Sequence, residues 1–253
     1  MTIQIHPDLV NFQRPSPHST FSPSASDRWS IDACPFSIKY CENIPEISSV
    51  YAAEGSLAHL IAEEYVKAWL SQTDLAPEFP MQLVTATKDS GAEMLEGSEM
   101  YRSMIHYYLE RQELIGDILY WGLESGVPIF PEEGAFGTAD AIIIGSKATI
   151  IADYKYGRKP VHAESFQLRS YAAGVRRYLS NIPEDYKFIA VVVQPRTDIC
   201  PKVHEYTTME MDQTLVTIWE SIQESKKSDL KPNKGNWCHF CPANQTKDPD
   251  LQC

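Results

Sequence analysis

The chain has 253 residues and a formal net charge of −12, with 22 Lys and Arg against 34 Asp and Glu. That balance excludes a generally basic nucleic-acid binder, whose phosphate affinity rests on clustered cations. The sequence has no uninterrupted apolar run of about 18 residues, and its first residues lack a basic start followed by an apolar stretch. A soluble cytoplasmic protein without membrane contact is therefore expected, and six cysteines in that setting argue for a metal centre over a disulfide framework.

Residues 1–26 hold several prolines and serines with little apolar periodicity, which predicts an extended arm that orders only by docking on the body. A capping serine and a short helix follow, interrupted or restarted at Pro35 beside Cys34. Residues 49–70 form the strongest helical pattern, with Ala53, Leu57, Leu60, Ile61, Val66 and Trp69 as its apolar stripe. His59 and Glu63 are neighbours on one face of it. Gly55, one turn earlier, predicts a close approach of another element to that face. A connector over 71–90 leads to a second amphipathic helix over 90–115, whose Met94, Met104, Ile105, Tyr108 and Leu109 point inward. Residues 117–129 alternate as a strand with Glu124 near its end, and Pro131-Glu132-Glu133-Gly134 turns the chain.

The stretch from Gly137 to Gly157 is the organising element. Two β-branched runs, Ala141 to Ile144 and Thr149 to Ala152, flank Gly145-Ser146-Lys147-Ala148 as a strand-turn-strand pattern. A two- or four-residue turn centred between Ser146 and Lys147 sets Asp140 directly opposite Asp153, with Cβ atoms roughly 4.5–5.5 Å apart. Lys155 shares the face of Asp153. Adjacent carboxylates repel unless one is protonated or a cation lies between them. A divalent metal resolves that conflict, and a lysine beside it can steady an attacking water or developing charge. Taken alone, the same residues also describe a solvated strand face with an ordinary ion pair.

Beyond Tyr156-Gly157 a helix is predicted over 164–179, with Gln167 and Tyr171 one turn apart. Residues 187–193 are a short apolar run bounded by Gln194-Pro195-Arg196, a buried strand, with 203–208 as its edge partner. Residues 212–226 predict the last helix, and 230–253 form an aperiodic tail that must be clipped down to be ordered. Lys155, Arg158, Lys159, Arg176, Arg177, Lys226 and Lys227 are candidates for a local basic track, and each also reads as solvated surface. Cys200, beside a strand, is expected as a small buried hydrophobe.

Gly55-x3-His59, Gly137-x2-Asp140, Asp153-x-Lys155 and Gln167-x3-Tyr171 occur in the order found in RecB-type nucleases of the PD-(D/E)XK superfamily. The wider text, SPSASDRWSIDACP, AAEGSLAH, FGTADAIII, IADYKYG and QLRSYAAG, resembles an uncharacterised phage and prophage family within that group, over roughly residues 22–243. The resemblance implies an α/β (α+β) fold with a PD-(D/E)XK restriction-endonuclease-like core, a central mixed sheet flanked by helices. It divides the chain into the arm (1–26), a nuclease domain (27–229) and a cysteine-rich tail (230–253).

In such enzymes His59, Asp140 and Asp153, with the backbone carbonyl of Tyr154, would bind Mg or Mn. Lys155 would position or activate the water, and Gln167 and Tyr171 would orient the scissile phosphate or the lysine. Glu54 or Glu63 would add a supporting contact. Asp153 stands where many relatives have Glu, a shortening that a hard cation tolerates. Several relatives also hold an iron-sulfur cluster with one early and three late cysteines, and Cys34, Cys238, Cys241 and Cys253 repeat that distribution. The gap between Cys241 and Cys253 is longer than in those relatives, Cys41 is the reserve ligand, and four thiolates suit a 4Fe-4S cluster or Zn. The implied function is a metal-dependent DNA exonuclease of phage type, serving recombination, replication or DNA processing with DNA and phage proteins as partners. An endonuclease shares every one of these residues, and an idle nuclease-fold module that binds DNA or protein is the alternative from another class.

Overall fold

The structure, a computed structural model, describes residues 2–16, 19–44, 50–72 and 91–246. Most of the expected connector over 71–90 lies outside them, as does Cys253. At its centre is a five-stranded mixed sheet. In chain order the strands are β2 (Ile118–Phe130), β3 (Ala135–Gly145), β4 (Ala148–Tyr154), β6 (Lys187–Val193) and β7 (Lys202–Thr207), and they lie in the spatial order β2-β3-β4-β6-β7. All neighbours are antiparallel except β4 and β6, which run parallel. A parallel pair needs a crossover, and the helix α7 (Phe166–Arg177) supplies it. The remaining strands, β1 (Gln4–Ile5) and β5 (Leu179–Ser180), pair as a separate two-stranded ribbon.

The β3 and β4 strands are buried along nearly their whole length because helices cover both sheet faces. One layer is α7 with α8 (Thr208–Ser225). It packs on Ile142, Ile144, Ile151, Phe188 and Val192, with the N-terminal Trp29 and Phe21 in the same core. The other layer is α4 (Val50–Ser71) with α5 (Gly91–Glu110), packed on Ala141, Ile143, Ile150, Ala152 and Val191. Residues alternate between the two cores along each strand, as the period of two requires.

The predicted second helix over 90–115 is broken. It ends at Glu110, Arg111 leaves helical geometry with ψ 65°, and a short α6 (Gln112–Ile115) resumes. The break turns Ile115 fully into the core beneath the hairpin. The last helix starts four residues earlier than its apolar pattern suggests. Thr207 accepts from the Glu210 N–H while the Glu210 carboxylate accepts from the Thr207 N–H, a capping box. Pro35 precedes α3 (Phe36–Cys41), following the single turn α2 (Ser26–Trp29). The N-terminal residues carry β1 and the turn α1 (Pro7–Val10), and β1 docks on β5.

Gly174 shows how tightly α7 sits on the sheet. A Cβ there would stand 2.7 Å from Val127 Cγ1 and 2.9 Å from Ile129 Cγ1. Helix propensity favours alanine over glycine by about 1 kcal/mol, whereas overpacking a filled core costs about 1–3 kcal/mol. Gly174→Ala is therefore expected to lower stability by about 1 kcal/mol net, read as a reduced urea midpoint with an unchanged slope. A raised midpoint would mean that the helix and sheet separate without cost.

Among the described residues no helix is long and apolar enough to cross a membrane.

Candidate functional site

The β3–β4 register pairs Ala141 with Ala152 and Ile144 with Thr149 around the two-residue turn Ser146-Lys147. Carried one pair further, it sets Asp140 opposite Asp153, as the hairpin pattern predicts. Both belong to the phase of Ile142 and Ile151 and so face α7. From the first turns of α7 come Gln167 and Tyr171, and from the end of β4 comes Lys155. Together these five line one cleft of about 290 Å³. Gly137 lets the α7 layer close in, since a Cβ there would meet the Tyr171 hydroxyl at 2.9 Å.

Asp153 is the buried centre. Its Oδ1 accepts from Lys155 Nζ at 2.9 Å and from Gln167 Nε2 at 3.3 Å. Its Oδ2 is buried and has no hydrogen-bond partner among the described residues. A buried carboxylate oxygen is costly to leave unsatisfied, so this atom is one that could ligate a cation. Asp140 Oδ2 accepts from the Tyr154 N–H at 2.7 Å and lies 3.4 Å from His59 Nδ1. Burial first, and then the charge of Asp153, push the Asp140 carboxyl well above the usual aspartate range. Burial, helped by the charge of Lys155, lowers the His59 pKa to about 4. The imidazole is therefore neutral at pH 7, with a lone pair free to ligate. Burial also works against the charge on Lys155, but Asp153 and Asp140 more than offset it, so its pKa is raised and the ammonium persists. Burial and the same two aspartates raise the Tyr171 hydroxyl, which stays a neutral donor.

Glu124 is the residue that sequence reasoning undervalued. It lies within β2, between the pairs Leu123–Ala141 and Ser125–Ala139, and so is opposite Asp140. Its φ of 45° is left-handed, which is unusual for a residue with a side chain. One ligand atom each from His59, Glu124 and Asp140 can be chosen so that all lie within 4.8 Å of one another. A single cation can bridge such a spacing. The usable sequence signal was an isolated acid inside an otherwise apolar strand.

Other expectations change. Among the described residues nothing lies within 4 Å of where a Gly55 Cβ would be, so none of them packs closely on that glycine. Glu63 pairs with Lys67 at 2.7 Å. Glu54 is bound by Arg196, whose guanidinium also holds Glu93 at 2.8 Å and stacks on Tyr156, tying α4 and α5 to the loop after β6. Tyr154 lies on the opposite sheet face from the aspartates, its ring against His59 and Tyr101. The expected basic track is largely neutralised. Arg158 pairs with Glu93, Arg176 with Asp212, Arg177 with Glu132, Lys226 with Glu133 and Lys227 with Glu224.

Four cysteines line a second cavity of about 160 Å³: Cys34, Cys41, Cys238 and Cys241. Cys41 Sγ stands 3.6 Å from Cys241 Sγ. Among the described residues no three thiols come within 4.8 Å of one another. The donor set suits a thiolate-bound metal even though the sulfurs are not gathered as a cluster would gather them. Cys200 packs partly buried at the edge of the α4–α5 core.

This is an α+β protein with a mixed five-stranded sheet and a carboxylate-lysine site at the mouth of its central hairpin. The chain belongs to the family described as "Protein of unknown function (DUF2800)", whose model matches residues 18–249. A solved structure titled "Crystal structure of SSO0001" is similar at 16% identity, covering 79% of this chain and 100% of that one, with a TM-score of 0.28. A likeness so distant bears on neither fold nor activity.

Proposed function

We propose that this chain is a divalent-metal-dependent deoxyribonuclease of the PD-(D/E)XK kind, acting as an exonuclease on DNA. The observation that carries the reading is the unsatisfied Asp153 Oδ2, buried beside Asp140 and within reach of a lysine. Asp140 and Asp153 would hold Mg or Mn, with His59 and Glu124 completing the donor set on the far side of Asp140. The imidazole tilts preference toward Mn. When bound, the cation supplies electrostatic stabilisation of charge on the phosphate oxygens.

The protein's own groups do the rest. Lys155, held charged by Asp153, directs a proton-bearing donor into the cleft where an attacking water and the phosphate meet. Gln167 holds Asp153 in place and turns its amide to the same point. Tyr171 donates as a neutral hydroxyl. The left-handed Glu124 fits a side chain aimed for function, because such backbone strain gathers at ligand sites. We further assign the cavity of Cys34, Cys41, Cys238 and Cys241 to an iron-sulfur cluster or Zn, with structure as its role.

The test is incubation of end-labelled linear DNA and closed circular DNA with Mg or Mn. Loss of linear DNA alone is expected. Nicking of circles would replace exonuclease by endonuclease, and no cleavage with either metal would overturn the reading in favour of an idle binding module.

A further inference from the structure

A larger cleft of about 700 Å³ adjoins the site and meets it at Ser24. That volume is on the scale of ligand clefts, roughly 300–1,000 Å³. Its walls come from three separate segments: Arg28 near the N-terminus, Lys159, Phe166 and Arg169 around the start of α7, and Trp237 and Phe240 in the 3-10 segment Asn236–Phe240.

Three cations of this cleft are free of carboxylates. Arg28, Lys159 and Arg169 have no carboxylate within ion-pair distance among the described residues, whereas Arg158, Arg176, Arg177, Lys226 and Lys227 are each paired with one. The guanidinium Nε atoms of both Arg28 and Arg169 are buried without a hydrogen-bond partner among the described residues. Two of the three are set beside aromatic surface: Arg169 lies 4.8 Å from the Phe166 ring centroid and Lys159 lies 4.9 Å from that of Phe240. Phe240 is 64% exposed, and the Trp237 indole is fixed by donation to the Asn233 carbonyl at 2.9 Å. Lys159 is not on a loose loop. Buried Gln194 donates to the carbonyls of Gly157 and Lys159 and accepts from the Val161 N–H, which holds the segment in place.

Unpaired cations interleaved with open aromatic faces are what a single strand of nucleic acid needs, because its bases are free to stack and its phosphates seek cations. A duplex hides its base faces. The cleft also carries Asp27 and Asp32, which repel a second row of phosphates. Gln167 in the site and Phe166 and Arg169 in the cleft share the first turn of α7, so a strand in the cleft leads to the carboxylates.

We infer that this cleft is a track for single-stranded DNA that leads to or from the metal site, with Lys159, Arg28 and Arg169 on phosphates and Trp237 and Phe240 stacked on bases. The inference rests on the nuclease reading for its substrate, and two separate measurements keep the two apart. Hydrolysis of bis(p-nitrophenyl) phosphate by the unaltered protein with Mn reads the metal site alone. Fluorescence anisotropy of labelled oligothymidine, with Ca in place of Mn or Mg, reads the track.

The expected result is tighter binding of the single strand than of a blunt duplex of equal length, with Phe240→Ala weakening it about tenfold. Lys159→Gln and Arg169→Gln should each weaken it and reduce the salt slope by about 0.7, while Phe240→Ala leaves that slope unchanged. Thermal melts of the variants, matched to the parent, exclude unfolding as the cause. Equal affinity for duplex and single strand, or variants that bind as the parent does, would overturn the track, whatever the ester assay shows. A parent protein that hydrolyses no ester but binds single strands with these losses would keep the track and remove the nuclease.

Discussion

Asp153→Asn is expected to reduce DNA cleavage by at least about a thousandfold, the scale at which loss of a pre-organised electrostatic contact reaches its upper range. The amide keeps the volume of the carboxylate, and its oxygen still accepts from Lys155 and Gln167, so the hairpin is not disturbed. What disappears is the charge beside Asp140 and the unsatisfied oxygen that a cation would occupy.

The same variant makes a stability prediction with a definite sign. The Asp140 pKa is raised above its ordinary 3.8 by burial and then by Asp153. A carboxyl that binds its proton more tightly when folded contributes stability at low pH. That contribution is lost as pH rises from about 3.8 through the raised folded value. Metal-free parent protein should therefore lose stability across that window relative to Asp153→Asn, and added Mn should restore the parent more than the variant. Melting curves in chelator at several pH values measure the difference. Parallel curves for parent and variant would show that the two aspartates do not share a site, and retained cleavage by a clean preparation of the variant would remove the catalytic assignment.

Loss of the thiol-bound metal is expected to have the second largest effect. The α9 turn (Pro242–Gln245) and the preceding 3-10 turn have few apolar side chains to bury. A small cluster of Ile44, Cys241 and Ala243, with Tyr40 and Cys41 against it, is what fastens them to α3. Asn233 adds donations to the Ala33 carbonyl at 2.6 Å and to Cys34 Sγ at 3.4 Å. A cation shared between Cys34 or Cys41 and Cys238 or Cys241 would close a loop of about 200 residues, since Cys41 and Cys241 are 200 positions apart. Cross-links over loops that long contribute on the order of 4 kcal/mol, and binding at a structural site is itself folding free energy.

Anaerobically purified protein should therefore be brown, with broad absorption near roughly 400 nm, as iron-sulfur thiolate centres are. Cys238→Ser should bleach it, lower the melting temperature by roughly 10 °C and open the tail to protease. Cys41→Ser compared with Cys253→Ser decides the fourth ligand: bleaching by the first alone selects the thiol that lines the cavity. A colourless preparation with stoichiometric Zn would exchange the metal and keep the staple. A metal-free protein with a protease-resistant tail would end the proposal.

Much of this architecture was legible in the sequence because it depends on local pattern. The hairpin could be read to the residue: with apolar runs on both sides of Ser146-Lys147, a two- or four-residue turn centred there sets the register that brings Asp140 to Asp153. The helices over His59 and over Gln167 and Tyr171 could be read from the sequence, and so could the burial of β6, though not its parallel pairing with β4. Each of these is a short-range property, fixed by the period of a strand or a helix.

Tertiary structure alone decided the rest. Glu124 joins Asp140 because β2 pairs with β3 across the whole sheet, and its left-handed backbone cannot be read from a strand pattern. Most of the basic-track candidates are neutralised because ion pairing depends on which carboxylates the fold brings near: Asp212, Glu132 and Glu133 take Arg176, Arg177 and Lys226. The unpaired cations of Arg28 and Arg169 and the aromatic rings of the tail come from segments about 70 to more than 200 residues apart in the chain. Nothing in their spacing announces a shared cleft, since contact between such distant segments is set by packing of helices on the sheet and not by any local repeat.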